Sequence, residues 1–244
     1  MDAGFHPFQG KVEDWHWWYR TRREILAALL AKLPLDREKS LLLDIGCGTG
    51  GSSLVMSQFG RAVGIDSKQS SFAISMDRPY THRVVGSGEV LPFGDDKFDV
   101  VAALDVLEHL DDDVGGATEI KRVIKPGGAV VIFVPAFSIL WGYNDDFSHH
   151  RRRYTKATLR RTMEAAGLRI DTIGYFNMLL FLPLLAARLA EKVAPARMRK
   201  IEYQDTPSMF NELLAHTFRL EVPVLRHSPL PVGSSVYCVA HKDA

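Results

Sequence analysis

The stretch Leu41-Leu42-Leu43-Asp44-Ile45-Gly46-Cys47-Gly48-Thr49-Gly50-Gly51 constrains this 244-residue chain more than any other. Its apolar run has the length of a buried strand, and a glycine-rich turn follows without a spacer. Ser52 to Met56 then reads as the start of a helix. Strand, glycine turn and helix in that order bring backbone N–H groups against a ligand at a helix N-terminus. The rest of the chain is expected to complete or cover that site.

Downstream the pattern repeats. Arg61 to Asp66 reads as a second strand, His82 to Gly86 as a third, Phe98 to Ala103 as a fourth and Ala129 to Val134 as a fifth. The fifth is apolar on both faces, as a central strand covered by helices must be. A weak helix from Ser70 to Met76 and another over 111–124 lie between strands. This alternation, without repeats or linkers, predicts one doubly wound α/β domain.

Upstream, Trp15, Trp18, Tyr19, Arg22, Ile25, Leu26, Leu29 and Leu33 recur at spacings of three and four. They predict a single helix over 12–33, stopped by Pro34. Trp15 and Trp18 are expected to pack on the core. Tyr19, Arg20 or Arg23 are candidates to touch a ligand in the glycine turn, as parts of a lid.

Beyond Pro135 the chain changes character. Residues 136–154 read as a loop rich in aromatics, His and Arg, and Thr155 as the N-cap of a helix. A sixth strand over 168–176, a helix over 208–220 and a last strand over 230–242 complete the reading.

Composition narrows the function classes. A net charge of +1 gives no reason to expect a nucleic-acid partner. Cys47 and Cys238 alone make neither a disulfide framework nor a zinc site, and Cys47 is expected to be a small buried residue. A reducing cytoplasm fits this usage. Met1 to Pro7 lacks the basic and apolar regions of a secretory signal. The apolar run 178–187, interrupted by Pro183, is too short to span a bilayer.

The glycine turn fits two templates. Gly46-x-Gly48-x-x-Gly51 satisfies a dinucleotide fingerprint, and Gly46-x-Gly48-x-Gly50 an S-adenosylmethionine (SAM) pattern. Asp44 decides between them. Its carboxylate would repel a pyrophosphate but suits the ammonium of a methionine moiety. Asp66, 20 residues after Gly46, ends the second strand where a carboxylate can accept from both ribose hydroxyls.

These residues resemble the class I SAM-dependent methyltransferases of the small-molecule type. Leu42 to Gly50 is similar to that family's first motif, Val63 to Asp66 to its ribose-binding strand, and Gly86 to Phe93 to its adenine segment. Phe98 to Val101, Leu104 to Leu110 and Lys125 to Gly128 continue the likeness, which covers about residues 41–134 closely. Ser87 departs from it, since Asp is common there.

The resemblance implies a Rossmann-like seven-stranded sheet in the order 3-2-1-4-5-7-6, with the last strand antiparallel. It implies a single domain over 1–244: an N-terminal helical lid (1–35), a SAM-binding core (36–135) and a substrate half (136–244). That half carries a helical cap over about 177–222, between strands 6 and 7. The implied cofactor is SAM, with S-adenosylhomocysteine as product. Asp44, Gly46, Cys47 and Gly48 would meet its methionine part, and Asp66 and Ser67 its ribose. Ser87, Gly88 and Glu89 would flank adenine, Asp105 and Val106 would line the pocket, and Tyr19 and Arg23 would close it.

In an α/β sheet the site lies at the carboxyl ends of the strands, so the acceptor half falls in the loop after strand five. His149 and His150 are the candidate bases for deprotonating a hydroxyl acceptor. Trp141, Tyr143, Arg152 and Tyr154 are candidate substrate contacts. The triplet Arg151-Arg152-Arg153 suits an anionic substrate group, or else a basic surface patch with one Arg paired. Asp145, Asp146, His149 and His150 fit no metal template, so no metal is expected. Glu108 and His109 are expected to form a satisfied polar pair at a helix start. Asp111 to Asp113 should be solvated and cap a helix.

The spacing Trp141…Asp145…His149 to Tyr154, with Pro231-x-Gly233-x-Ser235, more loosely resembles a bacterial subgroup found alongside glycosyltransferases. That implies a hydroxyl of a glycan, glycolipid or secondary metabolite as the acceptor. C- or N-methylation on the same scaffold and a non-catalytic SAM-binding partner subunit are the rival readings. The 178–187 run is expected to be a cap helix or dimer surface over an apolar substrate pocket. Its basic flank, Arg188, Lys192, Arg197, Arg199 and Lys200, also suits peripheral contact with a membrane over 178–200.

Overall fold

A computed structural model describes residues 10–74, 76–193 and 208–243. Its strands are β1 (Leu41–Ile45), β2 (Arg61–Asp66), β3 (His82–Val85), β4 (Phe98–Leu104), β5 (Ile124–Pro135), β6 (Arg169–Phe176) and β7 (Ser235–His241). They form one sheet in the order β3-β2-β1-β4-β5-β7-β6. Pairing is parallel from β3 to β5, and β7 runs antiparallel to both β5 and β6. The expected doubly wound order is the one observed.

The helices are α1 (Trp17–Leu30), α2 (Ser53–Met56), α3 (Gln69–Ile74), α4 (Asp113–Val123), α5 (Tyr143–Phe147), α6 (Lys156–Ala165), α7 (Phe181–Val193), α8 (Ser208–Arg219) and α9 (Glu221–Leu225). Because strand side chains alternate faces, β5 feeds two separate cores. Val130, Ile132 and Val134 meet Ala117, Ile120 and Val123 of α4 and Leu159 and Met163 of α6. Val131 and Phe133 meet Ile25, Leu26 and Leu29 of α1 and Phe218 of α8. Thr155 caps α6 as its sequence position predicts, accepting from the Thr158 N–H.

Two expectations change. The helix expected over 12–33 begins only at Trp17, because the His16 ring accepts from the Trp18 N–H and caps the N-terminus there. Trp15 therefore falls outside the packed stripe and is 40% exposed, whereas Trp18 stacks on Phe218 with ring centroids 5.8 Å apart.

The apolar segment that forms α7 does not turn its leucines inward, as a cap over an apolar pocket would; of the two expected roles, the exposed face matches that of a dimer surface. It buries Arg188 and Glu191, joined by bonds of 2.7 and 2.6 Å, and exposes Leu182, Leu189 and Val193. Arg188 packs so closely on Gly142 that a Cβ there would lie 2.8 Å from its guanidinium. The buried ion pair, not the leucines, sets the orientation of α7. Arg197, Arg199 and Lys200 lie outside the described residues. No helix among the described residues is long and apolar enough to cross a membrane.

Candidate active site

The glycine turn leaves β1 in left-handed backbone, with φ of 65° at Gly46 and 49° at Gly48. A Cβ on Gly46 would come 2.8 Å from the Val106 side chain, so only glycine fits. Val106 also packs near Gly88 and thereby joins the glycine turn to the segment after β3.

Asp66 holds the turn from β2. Its carboxylate accepts from the Gly48 N–H and the Lys68 N–H, each at 2.8 Å. Ser67 is exposed beside it. Cys47 is buried against Gly64, and burial raises its thiol pKa, so it stays neutral. Ser87 accepts from the Glu89 N–H at 3.1 Å, and Glu89 accepts from the Asp111 N–H at 2.9 Å, which ties the β3 loop to the end of β4.

Asp44 is 1% exposed and accepts from the Ser52 and Tyr80 hydroxyls. Burial lifts its pKa from the usual 3.8 to about 6, with the two hydroxyls opposing the rise. A raised folded-state pKa means that stability is full below the unfolded value and is lost as pH rises through the folded one. In the cofactor-free chain, thermal stability should fall between about pH 4 and about pH 6 by on the order of 3 kcal/mol. Melting curves of Asp44→Asn across this window should lack that fall. An identical fall in the variant would remove Asp44 as its source.

The N-terminal segment covers the turn. Glu13 is buried, and its carboxylate accepts from Arg78 at 2.7 Å and lies against Gly51. Arg23 donates to the Glu13 carbonyl at 2.7 Å, while Arg20 donates to Glu212 of α8 at 2.5 Å. Tyr19 lies edge-on to His16 with centroids 5.9 Å apart. Glu13 carries no sequence signal.

Asp105, at the end of β4, has a φ of 59° and donates its N–H to the Phe133 carbonyl at 2.9 Å. Its carboxylate accepts from Arg22 of α1. Arg22 is buried, with its guanidinium 5.1 Å from the Trp18 ring and 5.5 Å from the Phe133 ring. The one sequence signal for Arg22 is a charge inside the apolar stripe of a helix.

Beyond Asp105 the chain makes a short 3₁₀ turn, Leu107–His109. Glu108 is fully buried, and neither of its carboxylate oxygens has a hydrogen-bond partner from another described residue. The expected satisfied pair with His109 is not formed. His109 instead faces His150, with ring centroids 4.7 Å apart and planes at 79°. Ligand atoms of Glu108, His109 and His150 all lie within 4.8 Å of one another.

His150 is oriented by Asp145, whose carboxylate lies 2.8 Å from Nδ1. Asp145 is fully buried and also accepts from Arg153 Nε at 2.8 Å, Arg153 Nη2 at 3.0 Å and the Gly142 N–H at 2.8 Å. Burial would raise its pKa, but the His150 and Arg153 hydrogen bonds outweigh that and hold it at about 2. Of the two candidate bases, His150 thus stands in the cluster. His149 is exposed, with a φ of 55°.

The Arg triplet is spoken for. Arg151 pairs with Asp111 at 2.5 Å, Arg152 with Asp113 at 2.8 Å and Arg153 with Asp145 at 2.8 Å. Arg152 also donates to the Leu110 and Asp111 carbonyls. Tyr154 is buried, with its hydroxyl donating to Asp113 at 2.7 Å. Arg152 and Tyr154, expected at the substrate, instead fasten the loop to α4. The acidic run is as expected: Asp111 and Asp112 are exposed, and Asp112 caps α4, accepting from the Gly115 N–H at 2.8 Å. Trp141 donates to Asp146 at 2.8 Å, and Tyr143 stacks on Phe147 at 6.0 Å.

Comparison with known proteins agrees with the geometry. Residues 43–132 match the model of a methyltransferase domain family. A protein of Mycolicibacterium smegmatis described as a probable S-adenosylmethionine-dependent methyltransferase is 30% identical over 180 residues, covering 72% of this chain and 68% of the relative. A ubiquinone biosynthesis O-methyltransferase of Rhizobium etli is 28% identical over 202 residues, 78% of this chain and 71% of the relative. Matches to several further curated relatives span about half of those relatives' length or less. Among solved structures, geranyl diphosphate C-methyltransferase from Streptomyces coelicolor, in complex with Mg2+, a substrate analogue and S-adenosyl-L-homocysteine, superposes with a TM-score of 0.60 at 17% identity. That match covers 89% of this chain and 75% of the other, and it speaks for the fold alone. With the sheet order, the glycine turn and the Mycolicibacterium relative taken together, the chain belongs to the class I SAM-dependent methyltransferases.

Proposed function

We propose that this enzyme transfers the methyl group of SAM to a hydroxyl oxygen of a small-molecule, lipid-linked or sugar-linked acceptor. The observation that carries this reading is the grouping of His109 and His150 with Glu108 just beyond the carboxyl end of β4, next to the strand that bears the glycine turn. Methyl transfer is an in-line displacement. The acceptor oxygen bonds to the methyl carbon as the carbon–sulfur bond breaks, and the electron pair stays on sulfur to give S-adenosylhomocysteine. The protein must align the two molecules and exclude water. In the cofactor half, the Gly46–Gly48 backbone takes the methionine part, Asp44 stands behind it, and Asp66 accepts from the ribose hydroxyls. The N-terminal segment, held by the Glu13–Arg78 pair, shields the turn.

A hydroxyl must lose its proton as it reacts, and imidazoles titrate in the right range to take it. His149 and His150 are the two beside the acceptor half. The O-methylation for which the Rhizobium relative is named favours oxygen over carbon or nitrogen as the acceptor atom. The test is turnover with SAM and a panel of hydroxylated acceptors, read by mass spectrometry. The double variant His149→Ala, His150→Ala should lose about 10²–10⁴ in rate on a hydroxyl acceptor while still binding S-adenosylhomocysteine. Near-full turnover by that variant would defeat the hydroxyl reading and favour carbon or nitrogen.

A further inference from the structure

We infer that Glu108, His109 and His150 form a binding site for a divalent transition-metal ion, at the edge of the sheet where the methyl acceptor enters. Three observations point to a cation. A carboxylate with no exposed surface and no hydrogen-bond partner from another described residue stands in the middle of the cluster. The donor atoms of all three side chains fall within 4.8 Å of one another. One of the imidazoles, His150, has an outer partner of the kind that metal-ligating histidines require. That partner is the Asp145 carboxylate at Nδ1, which leaves Nε2 as the nitrogen with a lone pair.

Two imidazoles and one carboxylate suit zinc, manganese or ferrous iron better than magnesium or calcium. In tetrahedral coordination, bonds of about 2.0–2.2 Å place ligand atoms about 3.3–3.6 Å apart, so donor atoms that lie within 4.8 Å of one another need only small side-chain shifts to close on an ion.

The role of the ion, though not its binding, rests on the hydroxyl-acceptor reading above. A bound cation lowers the pKa of an oxygen that ligates it. With His150 taken up as a ligand, the coordinated acceptor hydroxyl would pass its proton to His149, the other candidate base. Its oxygen would then bond to the methyl carbon, and the carbon–sulfur bond would break with its electron pair moving to sulfur.

The test titrates Zn2+, and separately Mn2+, into the chelator-treated full chain by calorimetry, with the metal content of the dialysed protein as a second readout. One equivalent per chain is expected. Glu108→Gln and His150→Ala should each weaken binding by about a hundredfold, since loss of even an outer partner costs about 10–100-fold. The exposed His227→Ala should bind as the wild type does. No saturable uptake by the wild type, or unchanged affinity in Glu108→Gln and His150→Ala, would overturn the site. Should Glu108→Gln fail to fold by circular dichroism, His150→Ala carries the same prediction from a different part of the chain. S-adenosylhomocysteine affinity, measured on the same samples, is expected to be unchanged in both variants. Loss of the metal site is therefore read separately from failure of the methyltransferase reading.

Discussion

Replacing Asp66 with alanine is expected to weaken SAM binding by about a hundredfold or more. The proposed cofactor site gives the carboxylate two tasks. It accepts from the backbone N–H groups of Gly48 and Lys68, each at 2.8 Å, and so fixes the shape of the turn. Each of its oxygens keeps a second acceptor position for a ribose hydroxyl. Hydrogen bonds to a charged group contribute about 1.5–3 kcal/mol apiece, so two of them amount to about 3–6 kcal/mol, or about a hundredfold or more in Kd. Calorimetric titration of S-adenosylhomocysteine into Asp66→Ala measures this directly. A Kd within a few-fold of the wild type would show that the ribose lies elsewhere.

The second large effect is on stability. Asp145→Ala should cost about 3–5 kcal/mol, the penalty for stranding one partner of a buried ion pair. The fully buried carboxylate gathers Arg153, His150 and the Gly142 N–H, and nothing else among the described residues is placed to receive the Arg153 Nε and Nη2 donors. Urea unfolding gives the number. The pH dependence supplies a check on the cause. Because the folded carboxyl titrates near 2 rather than at the usual 3.8, its contribution is complete above about pH 4 and is lost as pH falls towards 2. Asp145→Ala should lack this acid-side loss. A cost below about 1 kcal/mol, the scale of an exposed pair, would mean that Arg153 finds another partner.

The two halves of the site are unequally legible in the sequence, and for a physical reason. The cofactor half is built from local geometry. A glycine turn, a carboxylate at the end of the next strand and a helix start are all written in short spacings, so the left-handed backbone at Gly46 and Gly48 and the place of Asp66 at the end of β2 follow from the sequence alone. Thr155 is legible in the same way, because an N-cap acts on its own helix. The acceptor half is made by long-range pairing. Arg22 reaches Asp105 across 83 positions, and Arg152 reaches Asp113 across 39. The basic triplet looks available for an anionic substrate because its carboxylates lie elsewhere in the chain. Glu108 carries no signal at all, since only burial and the lack of a partner distinguish it from an ordinary helix-start Glu. The orientation of α7 is hidden likewise. Its leucines dominate the sequence, while one ion pair against Gly142 decides which face turns inward.

The most direct test of the central claim is calorimetric titration of the full wild-type chain with S-adenosylhomocysteine and, in parallel, with NAD. Asp44 behind the glycine turn and Asp66 beside it predict saturable one-to-one binding of S-adenosylhomocysteine and no measurable binding of NAD. Tight binding of NAD with none of S-adenosylhomocysteine would contradict the account.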